Sequence, residues 1–261
     1  MHVFDDAAPV APGHYVPQHR PLAAIEALAQ SEGFGHLVLV QPSVYGTDNT
    51  VLLDALKAGQ GRHRGVVVVD ASCSDAELAD MHALGVRGVR FNLVSPVGSG
   101  VATDTVAVFH SLAPRLRALG WHVQWYPQPG DLPMIAALHA SPEVAGVPAV
   151  LDHLAGMHAS LQPDDAAWHV LAGLAQAGAW VKLSGWYRLR AETPFDALDS
   201  AISRVAALFG TRMVWGSDWP HTSFAADSLP PYASLWQPLK RVLPATLQGG
   251  LSMDAPARLY A

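Results

Sequence analysis

Residues able to do acid–base, electrophilic or anion-binding chemistry fall, in this chain, directly after short apolar runs. The stretch MVWGSDWPHT, residues 213–222, sets Asp218 between Trp215 and Trp219 at the end of such a run. A charge in apolar surroundings is costly unless something pairs with it, so the position asks for a partner or a task. A carboxylate there can take a proton from water; the alternative is an aspartate that caps a strand end. The same placement recurs at His2, Gln41, Asp70, Arg90 with Asn92, Tyr126, Asp152 with His153, Ser184 followed by Arg188, and Asp218 with His221. An imidazole can aim a donor at developing negative charge, and a guanidinium offers a fixed fork of donors to a carboxylate. Tyr15, in a proline-flanked loop, and Tyr126 each bring an apolar wall and one hydroxyl. Packing residues, core histidines satisfied by backbone and ion-paired surface arginines would give the same letters.

For these residues to act together, the ends of the runs must converge. The runs are residues 2–4, 36–41, 65–69, 88–93, 122–126, 148–151, 180–183 and 212–215. Between them lie amphipathic stretches such as LAAIEALAQ, NTVLLDALKAG, DAELADMHALG, TVAVFHSLAPRLRALG, DDAAWHVLAGLAQAG and FDALDSAISRVAALFG. Several end in glycine just before the next run, as a helix C-terminus does. Strand alternating with helix predicts parallel pairing through βαβ units. Eight units in 261 residues predict an α/β fold: a distorted (β/α)8 TIM barrel, a single domain over residues 1–261. In such barrels the active site lies at the C-terminal ends of the strands, where the polar residues above stand. The rival, a doubly wound open sheet, would usually carry a glycine-rich phosphate loop after its first strand, and none is present.

Composition narrows the function classes. Half of the residues are hydrophobic and 15% are charged, enough apolar material for a large core. A formal net charge of -6 with no basic tract argues against nucleic acid as partner. No apolar run approaches the ~20 residues that span a bilayer, and the start lacks a basic segment followed by an apolar one. A soluble cytoplasmic protein is expected, with neither membrane nor nucleic acid as partner; self-association stays open. The single cysteine, Cys73, excludes an intrachain disulfide framework, and its neighbours Ser72, Ser74 and Asp75 offer no cationic activation for a nucleophile.

In order along the chain, HVF, YVP, VLVQPSVYGTDN, GVRGVRFN, GWHV, LDH, VKLSGWYRL, VWGSDWPHT and APARLY resemble one branch of the amidohydrolase superfamily, that of the 2-pyrone-4,6-dicarboxylate lactonases and related lactonases. The resemblance covers essentially the whole chain and implies a lactone-opening hydrolase. It implies that Asp218 is the general base and that His153 and His2 polarise the carbonyl or help to hold water. It further implies that Arg90 and Arg188 bind substrate carboxylates, with Tyr15 and Tyr126 touching the substrate. Gln41 is expected to face the pocket, while Asp48 and Asn49 cap the second helix. His221 either orients Asp218 and its loop or is structural.

Two departures from the resemblance bear on substrate. Pro96 stands six residues after Arg90, where the dicarboxylate lactonases carry another arginine, and LAGMH follows LDH in place of a glycine-arginine-proline. One carboxylate contact is therefore expected to be missing, and a sugar lactone joins the dicarboxylate as a candidate substrate. Amidohydrolases generally open with His-x-His, whose imidazoles ligate a metal; MHVF holds the second histidine alone, and no lysine follows strand four. If a metal such as zinc is present, its ligands would be His2, His153 and Asp218, a thin set. No cofactor is expected to be required. The alternatives are a metal-dependent decarboxylase of the same superfamily, recognised by tightly bound zinc and release of carbon dioxide, and a catalytically weak small-molecule binding protein.

Overall fold

The structure, a computed structural model, describes residues 1–10, 15–94, 102–222, 224 and 229–261; Pro96 lies outside the described residues. Seven of the eight apolar runs are strands: β1 (Val38–Val40), β2 (Arg64–Val67), β3 (Val86–Asn92), β4 (His122–Tyr126), β5 (Ala149–Leu151), β6 (Trp180–Leu183) and β7 (Met213–Trp215). They follow one another in chain order in one sheet. The helices are α1 (Leu22–Ser31), α2 (Thr50–Ala58), α3 (Asp75–Ala83), α4 (Ala102–Leu119), α5 (Leu132–His139), α6 (Ala166–Gln176), α7 (Asp199–Phe209), α8 (Gln237–Val242), α9 (Ala245–Ser252) and α10 (Asp254–Leu259). Among the described residues no helix is long and apolar enough to cross a membrane.

The chain forms two compact units, Met1–Gln124 with Trp219–Ala225, and Trp125–Asp218 with Ala226–Ala261. In the first unit β1 pairs in parallel with β2, Leu39 opposite Gly65, and β2 pairs with β3, with an irregularity between Gly65 and Val66. The run at residues 2–4, expected as a strand, is not one. It makes an isolated antiparallel bridge from Phe4 to Arg20. It is nevertheless tied on two sides: Val40 N–H donates to Met1 O at 2.8 Å, and His2 N–H donates to Trp219 O at 3.0 Å. Those bonds satisfy the backbone without the regular ladder that defines a strand.

Local signals explain why the helices start where they do. Ser74 and Glu77 form a capping box on α3, each side chain bonding the other's backbone N–H. Asp48 accepts from the Thr50 N–H at the start of α2, as expected. Asn49 differs from expectation: its amide donates to the carbonyl of Val68 and accepts from the Val68 N–H, so it ties the helix start to the chain after β2. In the second unit β5, β6 and β7 pair in parallel, with Val150 opposite Trp180 and Val181 opposite Met213. Ile135, Val150, Leu171, Val181, Ile202 and Val205 are fully buried there, an apolar core against which the strand ends hold polar side chains.

Candidate active site

Three strand ends of the second unit carry the site. After β5, Asp152 is followed by His153, Leu154 and Ala155 with φ of 47°, 55° and 58°. Three consecutive non-glycine residues in the left-handed region are strained, and such strain collects at functional sites. After β6, Ser184 and Gly185 lead into a 3-10 turn, Trp186–Arg188. After β7, Gly216 and Ser217 lead to Asp218, which is itself left-handed at φ 55°. The Trp186 indole N–H donates to Leu235 O at 2.8 Å and pins the turn that carries Tyr187 and Arg188.

Asp218 is only 5% exposed. Its Oδ2 accepts from the Tyr187 hydroxyl at 2.5 Å and from Arg188 Nε at 2.7 Å. Its Oδ1 lies 3.8 Å from His153 Nε2, beyond hydrogen-bond length. His153 Nδ1 is 3.0 Å from Ser184 Oγ, and the Tyr126 ring stands edge-on to the imidazole at 4.6 Å. With a carboxylate facing Nε2, the favoured tautomer carries its proton on Nε2, and Ser184 then donates its hydroxyl proton to Nδ1. Gly185 makes room: a Cβ there would lie 2.3 Å from His153 Nδ1.

The electrostatics fix which groups carry protons. Burial dominates at His153 and lowers its pKa to about 4; Asp218 and Asp152 oppose the shift, Arg188 and Lys182 add to it. The imidazole is therefore neutral at neutral pH. Burial, with the Asp218 charge, raises the Tyr187 phenol far above its ordinary range, so it stays a donor. At Arg188 burial works against the charge, yet Asp218, Tyr187 and Tyr126 outweigh it and hold the guanidinium protonated. That guanidinium lies 5.0 Å from the Tyr187 ring centre and 5.9 Å from that of Tyr126. A neutral donor, a carboxylate and a fixed cation thus surround one point. The arrangement can take a proton from water and stabilise an oxyanion.

His153, Asp218, Arg188 and Tyr126 of the expected set are brought together in this unit. Arg188, expected to meet substrate carboxylate, is paired with Asp218. Ser184 was read only as a polar strand end, with no role, and Tyr187 was not singled out by sequence. The only signal for Tyr187 was its adjacency to Arg188, because a 3-10 turn gives no period to read. Trp215 meets Trp236 and Tyr232 edge-on at 4.9 and 5.9 Å, and Trp219 lies under Arg20.

The first unit holds the rest. His2 Nδ1 donates to Val40 O at 2.8 Å, which leaves Nε2 as its lone-pair nitrogen. Arg90 is buried on β3 at 6% exposure. Gln41 spends its amide N–H groups on Gly46 O and Asp48 O, at 3.2 and 2.7 Å, and so holds the loop before α2. Tyr15 packs edge-on to Phe4 at 6.3 Å, beside Val44 and Tyr45. His221 is buried, with φ 60°, edge-on to Phe224.

Among the described residues, one group of three places metal-ligating atoms within 4.8 Å of one another: Asp5, Asp6 and His19, all exposed. His19 Nδ1 there already lies 3.4 Å from Asp6 Oδ1, as in a surface ion pair. In the second unit His153 Nε2 and Asp218 Oδ1 would supply two ligands. The Arg188 guanidinium on the same carboxylate repels a divalent cation, so the residues fit a metal poorly.

The sequence model of the amidohydrolase family matches residues 2–261. The chain is 33% identical to a 2-pyrone-4,6-dicarboxylate hydrolase of Comamonas testosteroni, across 99% of this chain and 88% of that one. It is 31% identical to a 4-sulfomuconolactone hydrolase of Rhizobium radiobacter, across 100% and 88%. A crystal structure of a probable 2-pyrone-4,6-dicarboxylic acid hydrolase from Acinetobacter baumannii, with citric acid bound, superposes with a TM-score of 0.86. It is 25% identical and covers 99% of this chain and 96% of its own. The fold is accordingly the TIM-barrel-like α/β fold of that group.

Proposed function

The chain belongs to the amidohydrolase family, and we propose that it hydrolyses carboxylate-bearing lactones, residues 1–261 acting as one catalytic domain. The observation that carries the reading is the buried Asp218, held through Oδ2 by Tyr187 and Arg188 while Oδ1 faces His153 Nε2. Asp218 Oδ1 takes a proton from water, and the oxygen of that water bonds to the lactone carbonyl carbon. The His153 Nε2–H stabilises the oxyanion that forms. The ring C–O bond then breaks, and the leaving oxygen takes the proton from Asp218, giving the hydroxy acid. Relatives named for a dicarboxylate and a sulfonated lactone, and a bound citric acid in a third, support an anionic substrate.

Metal independence is part of the proposal, because Arg188 already supplies positive charge to the Asp218 carboxylate at 2.7 Å. The test is ring opening of 2-pyrone-4,6-dicarboxylate, a muconolactone and a neutral sugar lactone, with and without a chelator. Turnover of an acid-bearing lactone that survives chelation is expected. Carbon dioxide release that needs stoichiometric zinc would replace this reading with the decarboxylase. Tight binding of every lactone without turnover would leave a binding protein.

A further inference from the structure

The second unit buries one more charged pair, which the reaction above does not use. Lys182 Nζ lies 3.1 Å from Asp152 Oδ1, the two side chains being 10% and 1% exposed. Removing both charges from water is costly, and apolar residues of similar volume would often be at least as stable. A buried ion pair is therefore weak evidence for stability, and its position has to account for it. Lys182 stands two residues before Ser184, and a Cβ at Gly216 would meet both, Lys182 Cε at 2.7 Å and Ser184 Cβ at 3.5 Å. Asp152 immediately precedes His153. At Gly216 the lysine stem lies against the backbone two residues before Asp218. One side chain thus meets the ends of β5 and β7 from its seat on β6, and those ends carry His153 and Asp218.

We propose that Lys182 is a positioning residue for the His153–Asp218 pair, fixing the strand ends through its ion pair with Asp152 and its contact with Gly216. Gly216 is explained in the same way: any larger residue there would displace the lysine. The kinetic consequence rests on the hydrolase reading above; the structural consequence rests on the geometry alone. Lys182→Met by itself removes the cation that faces the buried Asp152 and risks unfolding. The informative variants are Lys182→Met with Asp152→Asn, which removes both charges, and Gly216→Ala, which keeps them and crowds the lysine.

Each folded variant is read for kcat and KM on a lactone that the wild type opens, and for the 15N shifts of the His153 ring. Small misplacements of catalytic groups cost rate far more than binding, so kcat should fall by about tenfold or more while KM stays within about threefold. The ring of His153, a single Nε2–H tautomer in the wild type, should become a mixture. Wild-type kcat together with an unchanged ring spectrum in a folded variant would overturn the proposal and leave Lys182 a structural residue. If the wild type opens no lactone, the functional reading falls, and the ring spectra alone decide the role of Lys182.

Discussion

Asp218 is a charge at 5% exposure, and the cost of that burial is offset by the two donors on Oδ2. The partner that the sequence demanded comes from the turn that carries Tyr187 and Arg188. Arg188 and Tyr187 orient the carboxylate, so that its other oxygen meets the imidazole. Asp218→Asn keeps the shape and an acceptor for the tyrosine but removes the proton acceptor and the counter-charge of Arg188. We expect kcat to fall by roughly 10²–10⁴. The thermal midpoint should fall as well, since breaking a buried pair leaves a charge uncompensated. Steady-state kinetics with folded protein are the measurement; a variant that keeps more than a tenth of the wild-type rate would remove Asp218 from the role of base.

At the scale of elements, the strands were legible because each is an apolar run bounded by glycine or a polar residue. The runs at residues 122–126 and 180–183 coincide with β4 and β6. The run at residues 2–4 misled because a short apolar run reads as a strand, whereas pairing depends on what lies alongside. The site was legible only in part. Asp218 and His153 stand at the ends of runs and could be read there, whereas Arg188 was marked by the resemblance of its YRL segment. The three left-handed residues at 153–155 could not be read, since neither Leu154 nor Ala155 favours that backbone. Lys182 was hidden as a polar letter inside an apolar run, and Ser184 was visible after that run but carried no sign of its role. Glycine contrasts test this level. Gly185→Ala places a Cβ 2.3 Å from His153 Nδ1 at a φ of 63°, so activity should drop at least about tenfold with displacement of the imidazole. Gly173 lies exposed in α6 with nothing within 4 Å of an added Cβ. Gly173→Ala should therefore stabilise by about 0.5–1 kcal/mol without touching kcat. Equal kcat for the two variants would show that the room at Gly185 is unimportant.

Over the whole molecule, acid stability follows from histidines folded in their neutral form. The indole N–H of Trp121 donates to His82 Nδ1, and that of Trp125 donates to His139 Nε2, both at 2.9 Å. Each bond needs an unprotonated nitrogen as acceptor. Burial lowers His82, and lowers His139 and His153 to about 4 from an ordinary 6.5. A histidine whose folded pKa lies below its unfolded value binds fewer protons when folded. Its contribution to stability is therefore complete above about pH 6.5 and is lost as the pH falls from there through the folded value near 4. For the buried His153 that loss is roughly 3 kcal/mol, with a smaller loss at the less buried His139. Carboxylates such as Asp48 and Asp70, lowered by hydrogen bonds to Thr50 and Ser72, act in a lower window, below their unfolded pKa near 4. Urea midpoints measured from pH 8 to 4 should be flat to about 6.5 and then fall steeply. His139→Gln keeps an acceptor for the Trp125 indole but has no proton to gain, so it should remove about one proton from that slope. An unchanged slope between pH 6.5 and 4 in His139→Gln would mean that His139 titrates alike in the folded and unfolded chains, and the fall over that range would then belong to His153 and His82.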